Sequence, residues 1–566
     1  MLFAKLANVF QELEKITSGN AMRKILSDFF KKTPKSEIEQ VVYLTTGRIA
    51  TEYEDVNIGM ADKMVLRAIA LASGRTDEET KKAFKQKGDV GIVAEDLCGR
   101  KRKDLSVKEV FDGLHKIAQS SGTGSQDTKT KILAGLLKNS APLEARYIAR
   151  MVLGTLRLGV GDMTVIDSLS IAFTGTKENK ARLEQAYHTC PDVGIIAKTI
   201  AEKGLKGIDN IGVMVGRPIQ MMLAQRISKI TMIQEKMPGL IDTEEKYDGE
   251  RMQAHMQKGK LTIFSRRMEN ITAQFPDVAA EIKRNVKAKS FIIEGECVPI
   301  DGKGNLLPFQ VLMQRRRKYD VEAYAKKIPV CLYLFDLLYL NGKSYIRQDL
   351  PVRQKALAKI LRETKGLQFV KRVVTDKLDF IEDFFNKSIS RGGEGIIAKS
   401  YSPGSIYKAG TRGWLWIKWK PEYIKGLRDT FDLVVVGAFA GKGKRAGAYG
   451  ALLCAAYNKE KDEFDTFCKL GSGFTDKEID ELPHKFKKYL IQHKHARVNA
   501  KKEMKPDFWF TPAVVVEVLG AEITKSPIHS AEGLALRFPR LIRYRQDKSP
   551  EQATTVKEIL RLYKKK

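Results

Sequence analysis

The sequence of 566 residues lacks the marks of several protein classes. Its six cysteines include no CxxC pair, which argues against a structural zinc site or a redox dithiol and favours a reduced, intracellular protein. No segment approaches the roughly 18 consecutive apolar residues of a membrane span. The apolar run at the start of the chain is too short for a signal peptide. We therefore expect a protein that works in the cytoplasm, or in the nucleus if its source is eukaryotic.

Acidic residues are also fewer than basic residues. The chain has 68 Asp and Glu against 99 Lys and Arg, and the formal net charge is +31. Because the excess is spread along the chain, it indicates a polyanionic partner, for which nucleic acid fits better than an acidic membrane. A surface rich in solubilising lysines, as in heat-adapted proteins, is the alternative. The length predicts two to four domains, and the composition is that of a globular protein.

Residues 1–215 are predicted to be helical. Apolar residues recur three and four positions apart, for example over Leu143–Leu156. Within this run Arg146 and Arg150 share one helix face, which leads into the glycine-containing break Leu158–Asp162. A basic face that ends in a glycine turn can place cations and backbone N–H groups against a phosphate backbone. A solvated helix face is the alternative.

Most strands are predicted in the remainder of the chain. The β-rich segments Phe291–Val298 and Val330–Leu340 are each followed by a turn sequence, so we expect an α+β domain around them. Residues 421–566 combine short strands with a lysine-rich helix, which favours a compact β-barrel of the OB type. The stretch Gly441–Gly447 imitates a phosphate-binding loop without the Walker spacing, and a flexible connection between strands is the better interpretation.

The sharpest local feature is Glu244-Glu245-Lys246-Tyr247-Asp248-Gly249-Glu250-Arg251. A lysine flanked by acids is ordinarily an exposed ion pair of small consequence. Five further blocks follow it, and they are Ser265-Arg266-Arg267, Ile293-Glu294-Gly295-Glu296, Tyr333-Leu334-Phe335-Asp336, Glu394-Gly395-Ile396-Ile397-Ala398-Lys399 and Trp416-Ile417-Lys418-Trp419-Lys420. In this order the six blocks resemble the nucleotidyltransferase motifs shared by ATP-dependent DNA ligases, RNA ligases and mRNA capping enzymes. The KxDG element alone is a weak match, whereas the ordered set is specific.

Two more segments extend the resemblance over essentially the whole chain. The block Arg537–Arg540, which continues to Arg545-Gln546-Asp547-Lys548, is similar to the C-terminal motif of ligases. The run Leu156–Gly161 resembles the DNA-binding domain of archaeal and eukaryotic replicative ligases. The resemblance to ATP-dependent DNA ligases implies a multidomain protein. Its expected parts are an all-α DNA-binding domain (1–215), an α+β nucleotidyltransferase or adenylation domain (216–420) and a C-terminal β-barrel OB-fold domain (421–566).

The resemblance implies that Lys246 is the catalytic nucleophile. A lysine amine attacks only when deprotonated, a form that neighbouring cations, a metal ion or partial burial favour. Attack on the α-phosphate of ATP would displace pyrophosphate and leave a lysine–AMP phosphoramide. Such a transfer needs charge neutralisation and in-line alignment more than proton transfer. The family places Arg251 and Arg266 near the ribose and α-phosphate and Lys418 at the α-phosphate, and Lys420 supplies a further cation.

Acidic and aromatic residues are implied to bind the metal ion and the base. Glu296 matches the family's essential glutamate and is paired with Glu394 as a ligand of Mg²⁺, for which Mn²⁺ can substitute. A hydrogen bond from the ribose to Glu296 is an alternative that does not exclude metal binding. Phe335 resembles the phenylalanine that stacks on adenine, and Glu244 the residue that reads the adenine amino group. Arg412 resembles another arginine that contacts the nucleotide.

The C-terminal block is implied to act in a different part of the cycle. The OB domain is expected to close over the nucleotide, so that Arg545, Asp547 and Lys548 orient the departing pyrophosphate, and then to open and grip DNA. The predicted function is the sealing of nicks in duplex DNA during replication, repair and recombination, through lysine–AMP and an adenylated 5′-phosphate. Three domains that encircle DNA would rely on phosphate contacts, with steep salt dependence.

The expected partners are nicked duplex DNA and a sliding clamp, and the expected state is a monomer. Only Arg23–Phe30 offers a candidate clamp contact, with Leu26, Phe29 and Phe30 at suitable spacing. It lacks the leading glutamine, and a role in a helix core fits its aromatic residues better.

Three alternative functions fit the sequence less well than this one. An RNA ligase or capping-type nucleotidyltransferase would use the same lysine chemistry, but it does not need the long helical region. An NAD-dependent ligase would be expected to carry zinc cysteines, which are missing. A non-catalytic DNA clamp would require a broken motif, whereas Lys246, Glu296, Glu394 and Lys418 are all present.

Overall fold

The computed structural model describes residues 1–16, 18–98, 103–156, 158–227, 229–315, 320–420, 430–441, 448–520 and 522–564. The chain divides into two compact units, Met1–Lys420 and Pro421–Lys566. In the described ranges, none of the helices has both the length and the apolar character needed to cross a lipid bilayer.

The N-terminal part of the first unit is helical, as predicted, and its helices surround one continuous apolar core. Several helices begin at a residue whose side chain accepts a backbone hydrogen bond, such as Thr76, Ser106 and Asp192. The helices are α1 (Phe3–Glu14), α2 (Gly19–Lys32), α3 (Ile38–Thr45), α4 (Asp62–Ser73), α5 (Asp77–Lys87), α6 (Val90–Leu97), α7 (Val107–Gln119), α8 (Ser125–Asn139), α9 (Pro142–Val152), α10 (Asp162–Thr174), α11 (Lys180–Thr189) and α12 (Val193–Asp209).

The two arginines of α9 do not form an exposed basic face, and that expectation was wrong. Arg150 is buried, with Nε and Nη2 each 3.1 Å from a carboxylate oxygen of Asp89, and it also donates to Glu14. Arg146 Nε lies 2.9 Å from a carboxylate oxygen of Glu95. Helical spacing predicted the shared face but not the acidic residues of α1 and α6 that cover it. The glycine break does separate α9 from α10, and Arg157, just before it, lies outside the described residues.

The candidate clamp contact belongs to the helical core. Leu26 and Phe30 of α2 are fully buried, and Arg23 Nε lies 2.7 Å from Asp167 Oδ2. These residues therefore pack inside the protein, the role that the sequence favoured for them.

Two sheets form the second part of the first unit. The five-stranded sheet has the order β1-β11-β10-β2-β9, and the six-stranded sheet has the order β4-β3-β5-β6-β7 with β8 paired to β6. The elements are β1 (Leu223–Arg226), α13 (Met232–Lys236), β2 (Ile241–Lys246), β3 (Glu250–Gln257), β4 (Lys260–Ser265), α14 (Pro276–Asn285), β5 (Phe291–Pro299), α15 (Phe309–Met313), α16 (Val321–Lys327), β6 (Val330–Leu340), β7 (Lys343–Ser344), α17 (Leu350–Ile360), β8 (Leu367–Phe369), β9 (Arg372–Thr375), α18 (Leu378–Ser390), β10 (Gly395–Ser400) and β11 (Arg412–Trp419).

The predicted strands Phe291–Val298 and Val330–Leu340 are confirmed as β5 and β6, which pair in the centre of the six-stranded sheet. The turn after β6 uses Asn341 and Gly342 with φ of 44° and 94°, the left-handed conformations that an Asn-Gly hairpin requires. The chain passes from the five-stranded to the six-stranded sheet between β2 and β3, where the KxDG segment lies.

The C-terminal unit is rich in strands, in agreement with the predicted class. Its main sheet has the order β15-β17-β12-β13-β14-β16, with β20 paired to β17, and β18 pairs with β19. Of the stretch Gly441–Gly447, residues 442–447 lie outside the described residues. The elements are β12 (Thr430–Ala440), β13 (Tyr449–Asn458), β14 (Glu463–Leu470), α19 (Asp476–Phe486), β15 (Leu490–Ile491), β16 (Val498–Asn499), β17 (Phe508–Leu519), β18 (Glu522–Lys525), β19 (Leu534–Arg537), β20 (Arg540–Tyr544) and α20 (Val556–Lys564).

Candidate active site

Lys246 stands at the end of β2, where the chain leaves one sheet for the other. Its carbonyl oxygen accepts a hydrogen bond of 2.7 Å from the N–H of Glu394, immediately before β10. Its ammonium group donates to the Glu394 carboxylate, and Lys420 Nζ lies 2.8 Å from the same carboxylate. The Lys246 side chain is 21% exposed, so most of it is covered and a part is open to solvent.

The glycine of the KxDG segment is required by a close backbone approach. A Cβ atom on Gly249 would lie 2.4 Å from the carbonyl oxygen of Cys297. This approach brings the start of β3 against the end of β5, and in that pairing Arg251 lies opposite Glu296. The local sequence thus sets Lys246 on one sheet close to acidic and basic residues of the other.

The acidic residues near Lys246 have strongly perturbed acidities. Burial raises the pKa of Glu296 to about 7, although Lys246 and Arg251 partly oppose the shift. Burial would also raise the pKa of Glu394, but the ammonium groups of Lys246 and Lys420 outweigh it and hold that pKa at about 2. Asp248 shares a hydrogen bond with Glu394, and its own pKa is raised by burial and by the charge of that neighbour. Opposite shifts in neighbouring carboxyl groups are typical of functional sites.

The carboxylates suit a metal ion that is shared with a substrate. Within the ranges that the structure describes, no three His, Cys, Asp or Glu side chains converge as a complete metal site. Glu296 and Glu394 nevertheless offer hard oxygen donors from the two sheets. Because Mg²⁺ commonly keeps several waters and binds substrate phosphates in addition to one or two carboxylates, this pair fits it.

Basic residues converge on the same place. The pKa of Lys418 in β11 is lowered by burial and by the positive charges of Lys246, Arg412, Lys420 and Arg266. The structure therefore brings together the cations that the sequence motifs predicted. Their combined charge can stabilise a polyphosphate.

Two aromatic rings line the part of the site that the sequence assigned to the base. The rings of Phe335 and Trp416 meet edge to face with centroids 6.2 Å apart. The guanidinium carbon of Arg251 lies 5.3 Å from both centroids, and Lys399 Nζ lies 4.5 Å and 4.4 Å from them. Arg251 Nε is buried and has no hydrogen-bond partner among the described atoms, which is rare for a buried donor and is found at functional sites.

Glu244 and Lys399 form a buried ion pair beside these two rings. Lys399 Nζ lies 2.6 Å from Glu244 Oε2, and Gln354 Nε2 donates to Glu244 at 3.3 Å. Burial raises the pKa of Glu244 to about 8. Lys399 lies within a motif block, but the sequence predicted no role for it. A charged residue in an otherwise apolar strand was the signal, because such a residue needs a buried partner.

Glu294, only two residues before Glu296, supports Arg251. Its carboxylate is fully buried and accepts hydrogen bonds from Arg251 at 2.9 Å, Gln253 at 3.0 Å and the Tyr407 hydroxyl at 2.9 Å. Reasoning from the sequence missed Tyr407 and Gln253. Neither belongs to a motif block, and no pattern in the sequence points to them.

The C-terminal block forms its own cluster within the second unit. Arg545 Nη1 lies 2.9 Å and 3.0 Å from the carboxylate oxygens of Asp432, and Lys548 Nζ lies 2.6 Å from Asp432 Oδ2. Asp547 accepts two further hydrogen bonds from Arg545, of 2.9 Å and 2.7 Å. The three predicted residues are thus adjacent, and Asp432 is an additional member that the sequence did not indicate.

Comparison with known proteins agrees with these observations. Family models match three parts of the chain: "DNA ligase N terminus" matches residues 2–170, "ATP dependent DNA ligase domain" matches 221–420, and "ATP dependent DNA ligase C terminal region" matches 445–548.

Similar proteins cover nearly the whole chain. The chain is 47% identical over 587 residues to DNA ligase 2 of Thermofilum pendens, covering 99% of this chain and 97% of that protein. It is 45% identical over 592 residues to the DNA ligase of Staphylothermus marinus, covering 100% of this chain and 99% of that protein. A solved structure named "Pmar-Lig_Pre." has a similar fold, with a TM-score of 0.55 at 18% identity, and covers 96% of this chain and 99% of that chain.

Proposed function

Because this chain belongs to the ATP-dependent DNA ligases, which seal nicks in duplex DNA, we propose that Lys246 is the residue that carries AMP between ATP and the DNA. One observation carries the proposal. The Lys246 ammonium group shares the Glu394 carboxylate with Lys420, and both charges lower the pKa of Lys418, at the point where the chain passes from one sheet to the other. Nothing in the comparisons supports the alternative of an RNA ligase or capping enzyme.

In the first step Lys246 takes AMP from ATP. Lys246 loses one proton to become a free amine, and its nitrogen attacks the α-phosphorus. A nitrogen–phosphorus bond forms, the bond to the bridging oxygen of the β-phosphate breaks, and pyrophosphate leaves. The nitrogen releases a second proton to solvent. Lys418, Lys420 and Arg266 are proposed to stabilise the charge on the phosphate oxygens during this transfer.

The next two steps move AMP to the DNA and then release it. An oxygen of the 5′-phosphate at the nick attacks the α-phosphorus, the nitrogen–phosphorus bond breaks, and Lys246 recovers its two protons from solvent. The 3′-hydroxyl then attacks the 5′-phosphorus and loses its proton, and AMP leaves as the phosphodiester forms. Proximity of the reacting groups supplies much of the rate in such transfers.

We propose that the residues around Phe335 and Trp416 bind the adenosine. Phe335 would stack on the base, Glu244 would accept from its amino group, and Arg251 and Arg412 would contact the ribose and phosphate. Two observations support this proposal. Arg412 is exposed, and its charge acts on Lys418. Arg251 Nε has no hydrogen-bond partner among the described atoms.

Glu296 and Glu394 are proposed to hold Mg²⁺, or Mn²⁺ in its place. Such an ion, when bound, neutralises phosphate charge and withdraws electron density from the α-phosphate. The two glutamates are proposed to have different further roles. Glu394 would hold the Lys246 ammonium group before reaction. Within the part of the chain that the structure describes, Glu296 forms no ion pair, and it is proposed to accept a hydrogen bond from the ribose as well.

We further propose the division of labour among the three regions. Residues 1–215 would bind DNA, residues 216–420 would carry the adenylation chemistry, and residues 421–566 would contribute Arg545, Asp547 and Lys548 to orient pyrophosphate. One chain supplies every assigned residue, so we propose that it acts as a monomer. A cytoplasmic location, which the sequence analysis expected, stays a proposal. A sliding clamp stays a proposed partner, although not through Arg23–Phe30, whose apolar residues are largely buried.

The test incubates the full chain with ATP labelled at the α-phosphate and then adds nicked DNA or nicked RNA. We expect a labelled adduct that survives denaturation, is absent from Lys246→Ala, and is discharged by nicked DNA as the strand is sealed. Lys260→Ala, which removes an exposed lysine of β4, is the matched control and should form the adduct normally. An adduct formed by Lys246→Ala would overturn the assignment, and discharge only by nicked RNA would overturn the choice of substrate.

A further inference from the structure

Asp432 joins the two cations of the C-terminal block. It lies at the start of β12, 113 positions from Arg545 and 116 from Lys548 in the sequence. Arg545 Nη1 reaches both of its carboxylate oxygens and Lys548 Nζ reaches Oδ2 at 2.6 Å. The Asp432 side chain is only 13% exposed, so water screens these contacts weakly.

The backbone of Asp432 is fixed more firmly than the side chains it holds. Its N–H donates to Thr554 Oγ1 at 3.0 Å, its carbonyl oxygen accepts from the Thr554 N–H at 2.8 Å, and its Cα faces Glu517 in the pairing of β12 with β17. Arg545 and Lys548 lie beyond the end of β20, where long side chains have many rotamers. The strand residue therefore acts as the fixed point of the cluster.

The charges in the cluster balance. Two cations and the two carboxylates of Asp432 and Asp547 sum to zero. Without Asp432, Arg545 and Lys548 would repel each other and move apart into solvent. The Asp432 carboxylate keeps the Lys548 ammonium group and the Arg545 guanidinium group close enough to bind neighbouring phosphates. Residues that hydrogen-bond to metal ligands orient those ligands in the same way.

We propose that Asp432 is a positioning residue for pyrophosphate, which holds Arg545 and Lys548 in the arrangement that receives the β- and γ-phosphates of ATP. This inference rests on the proposed role of the C-terminal block in adenylation. Asp432 itself need not touch the nucleotide. Its loss should therefore affect the one step in which pyrophosphate takes part and leave the sealing of adenylated DNA intact.

The test separates the steps in the full chain. Asp432→Asn keeps the size of the side chain and removes its charge. We expect its rate of Lys246–AMP formation at low ATP to fall about 10- to 100-fold, which is the usual effect of losing a residue that orients a metal ligand. The pyrophosphate concentration needed to discharge purified Lys246–AMP should rise by a similar factor. Sealing of a nick that already carries AMP on its 5′-phosphate should stay within about twofold of the wild-type rate.

Controls keep the test decisive. Asp462→Asn removes an exposed carboxylate that pairs with Arg497 in the same unit, at a left-handed position that Asn tolerates, and all three measurements should stay unchanged. Asp432→Glu restores the charge one methylene further out and should recover part of the lost rate. Thermal unfolding of each variant shows whether the C-terminal unit has folded.

Each failure has a distinct meaning. If Asp432→Asn forms Lys246–AMP and responds to pyrophosphate like the wild type, the inference is wrong. An equal loss in adenylation and in sealing, or unfolding of Asp432→Asn while Asp432→Glu behaves as wild type, would assign Asp432 to the fold alone and also overturn it. If Arg545→Ala forms Lys246–AMP normally, the proposed role of the block fails independently of Asp432.

Discussion

Lys420 Nζ lies 2.8 Å from Glu394 Oε2, the oxygen atom that also accepts the hydrogen bond of Lys246 Nζ. One carboxylate thus holds the Lys246 ammonium group next to a second cation. Lys418 belongs to the same group of charges, because the positive charges of Lys246 and Lys420 lower its pKa. Glu394 is therefore the contact that Lys246, the proposed nucleophile, shares with its neighbouring cation.

The first prediction follows from this contact. Glu394→Gln removes the charge that gathers Lys246 and Lys420 and one of the two carboxylates proposed for Mg²⁺. We expect the rate of Lys246–AMP formation to fall by about 100-fold or more, the usual effect of losing a preorganised charged group at a reacting phosphate or carbonyl. Single-turnover labelling with α-labelled ATP measures it. Glu382→Gln, at an exposed position of α18, should keep the wild-type rate. Equal rates in the two variants would contradict the role of Glu394.

The second prediction concerns the choice of base. Glu244 and Lys399 place a hydrogen-bond acceptor beside a donor, which matches the amino group and ring nitrogen of adenine and opposes the carbonyl and N–H of guanine. Replacing both residues, in Glu244→Gln with Lys399→Met, avoids leaving either charge buried alone. We expect the preference for ATP over GTP in adduct formation to fall by about 10- to 100-fold, because buried polar groups set such discrimination. Lys359→Met on the exposed side of α17 is the control. An unchanged preference would show that the pair serves only the fold.

The sequence predicted the members of the site better than their partners. Lys246, Glu296, Glu394 and Lys418 lie in ordered motif blocks, and the structure brings them to one crossing between two sheets. The roles given to them stay predictions. The blocks could be found because each is a short run of residues in which chemistry restricts every position. Their order along the chain then predicted that they would meet in space.

Pairings between distant elements could not be found in this way. Arg150 shares a helix face with Arg146, as its spacing predicted, but the acid that covers it, Asp89, belongs to the turn before α6. Asp432 is remote in sequence from Arg545, and Tyr407 reaches Glu294 from a loop between β10 and β11. Periodicity defines which side of an element is buried. It does not define which side chain from another element will lie against it.

The third prediction tests the close approach at Gly249. A Cβ at this position would lie 2.4 Å from Cys297 O, so Gly249→Ala must push β3 away from β5. We expect a loss of about 1–3 kcal/mol in the free energy of unfolding, as for other overpacked sites. Displacement of Lys246 by about 1 Å should also reduce adduct formation by about 100-fold. Chemical denaturation and single-turnover labelling measure the two effects.

The control for Gly249 is Gly302→Ala. Gly302 lies in an exposed turn, and an added Cβ would meet nothing within 4 Å. Stability and adduct formation should both remain at wild-type values. If Gly249→Ala behaves like Gly302→Ala, the backbone approach seen at Cys297 does not constrain the site.

The fourth prediction concerns acid stability. Burial lowers the pKa of His255 to about 3, and the neutral ring accepts from the Gly216 N–H at 3.0 Å. An unfolded histidine takes up a proton below about pH 6.5. Between pH 6.5 and 3 the unfolded chain therefore binds more protons than the folded chain, and stability falls as the pH falls. From pH 6.5 to 4.5 this single group should lower the free energy of unfolding by about 2–3 kcal/mol.

His255→Asn removes the titrating ring and keeps an acceptor for Gly216. We expect this variant to be less stable than the wild type at pH 7 but to lose less free energy of unfolding on acidification. Urea denaturation at pH 7 and pH 4.5 gives the two differences. An identical pH dependence in variant and wild type would mean that His255 does not contribute to acid sensitivity.

The fifth prediction separates structural from DNA-binding arginines in the helical region. Arg150 is paired with Asp89 and Glu14 and its side chain is 6% exposed. Arg150→Met removes a buried cation that contacts both acids, so the free energy of unfolding should fall by about 3–5 kcal/mol. Binding to nicked DNA, measured below the unfolding temperature, should keep its salt dependence. A lost phosphate contact would instead reduce the slope of log K against log salt concentration by about 1.

Arg67→Met is the matched control for Arg150. Arg67 pairs with Asp127 at 3.0 Å on an exposed surface, where both side chains are more than half exposed. Because water screens such a pair, its loss should change stability far less than the loss of Arg150. If Arg150→Met leaves stability unchanged but lowers the salt slope, then Arg150 turns toward DNA when the complex forms. That result would support the basic DNA-binding face that the sequence suggested for α9. Arg150 would then have to leave Asp89 and Glu14 and contact phosphate groups of the DNA.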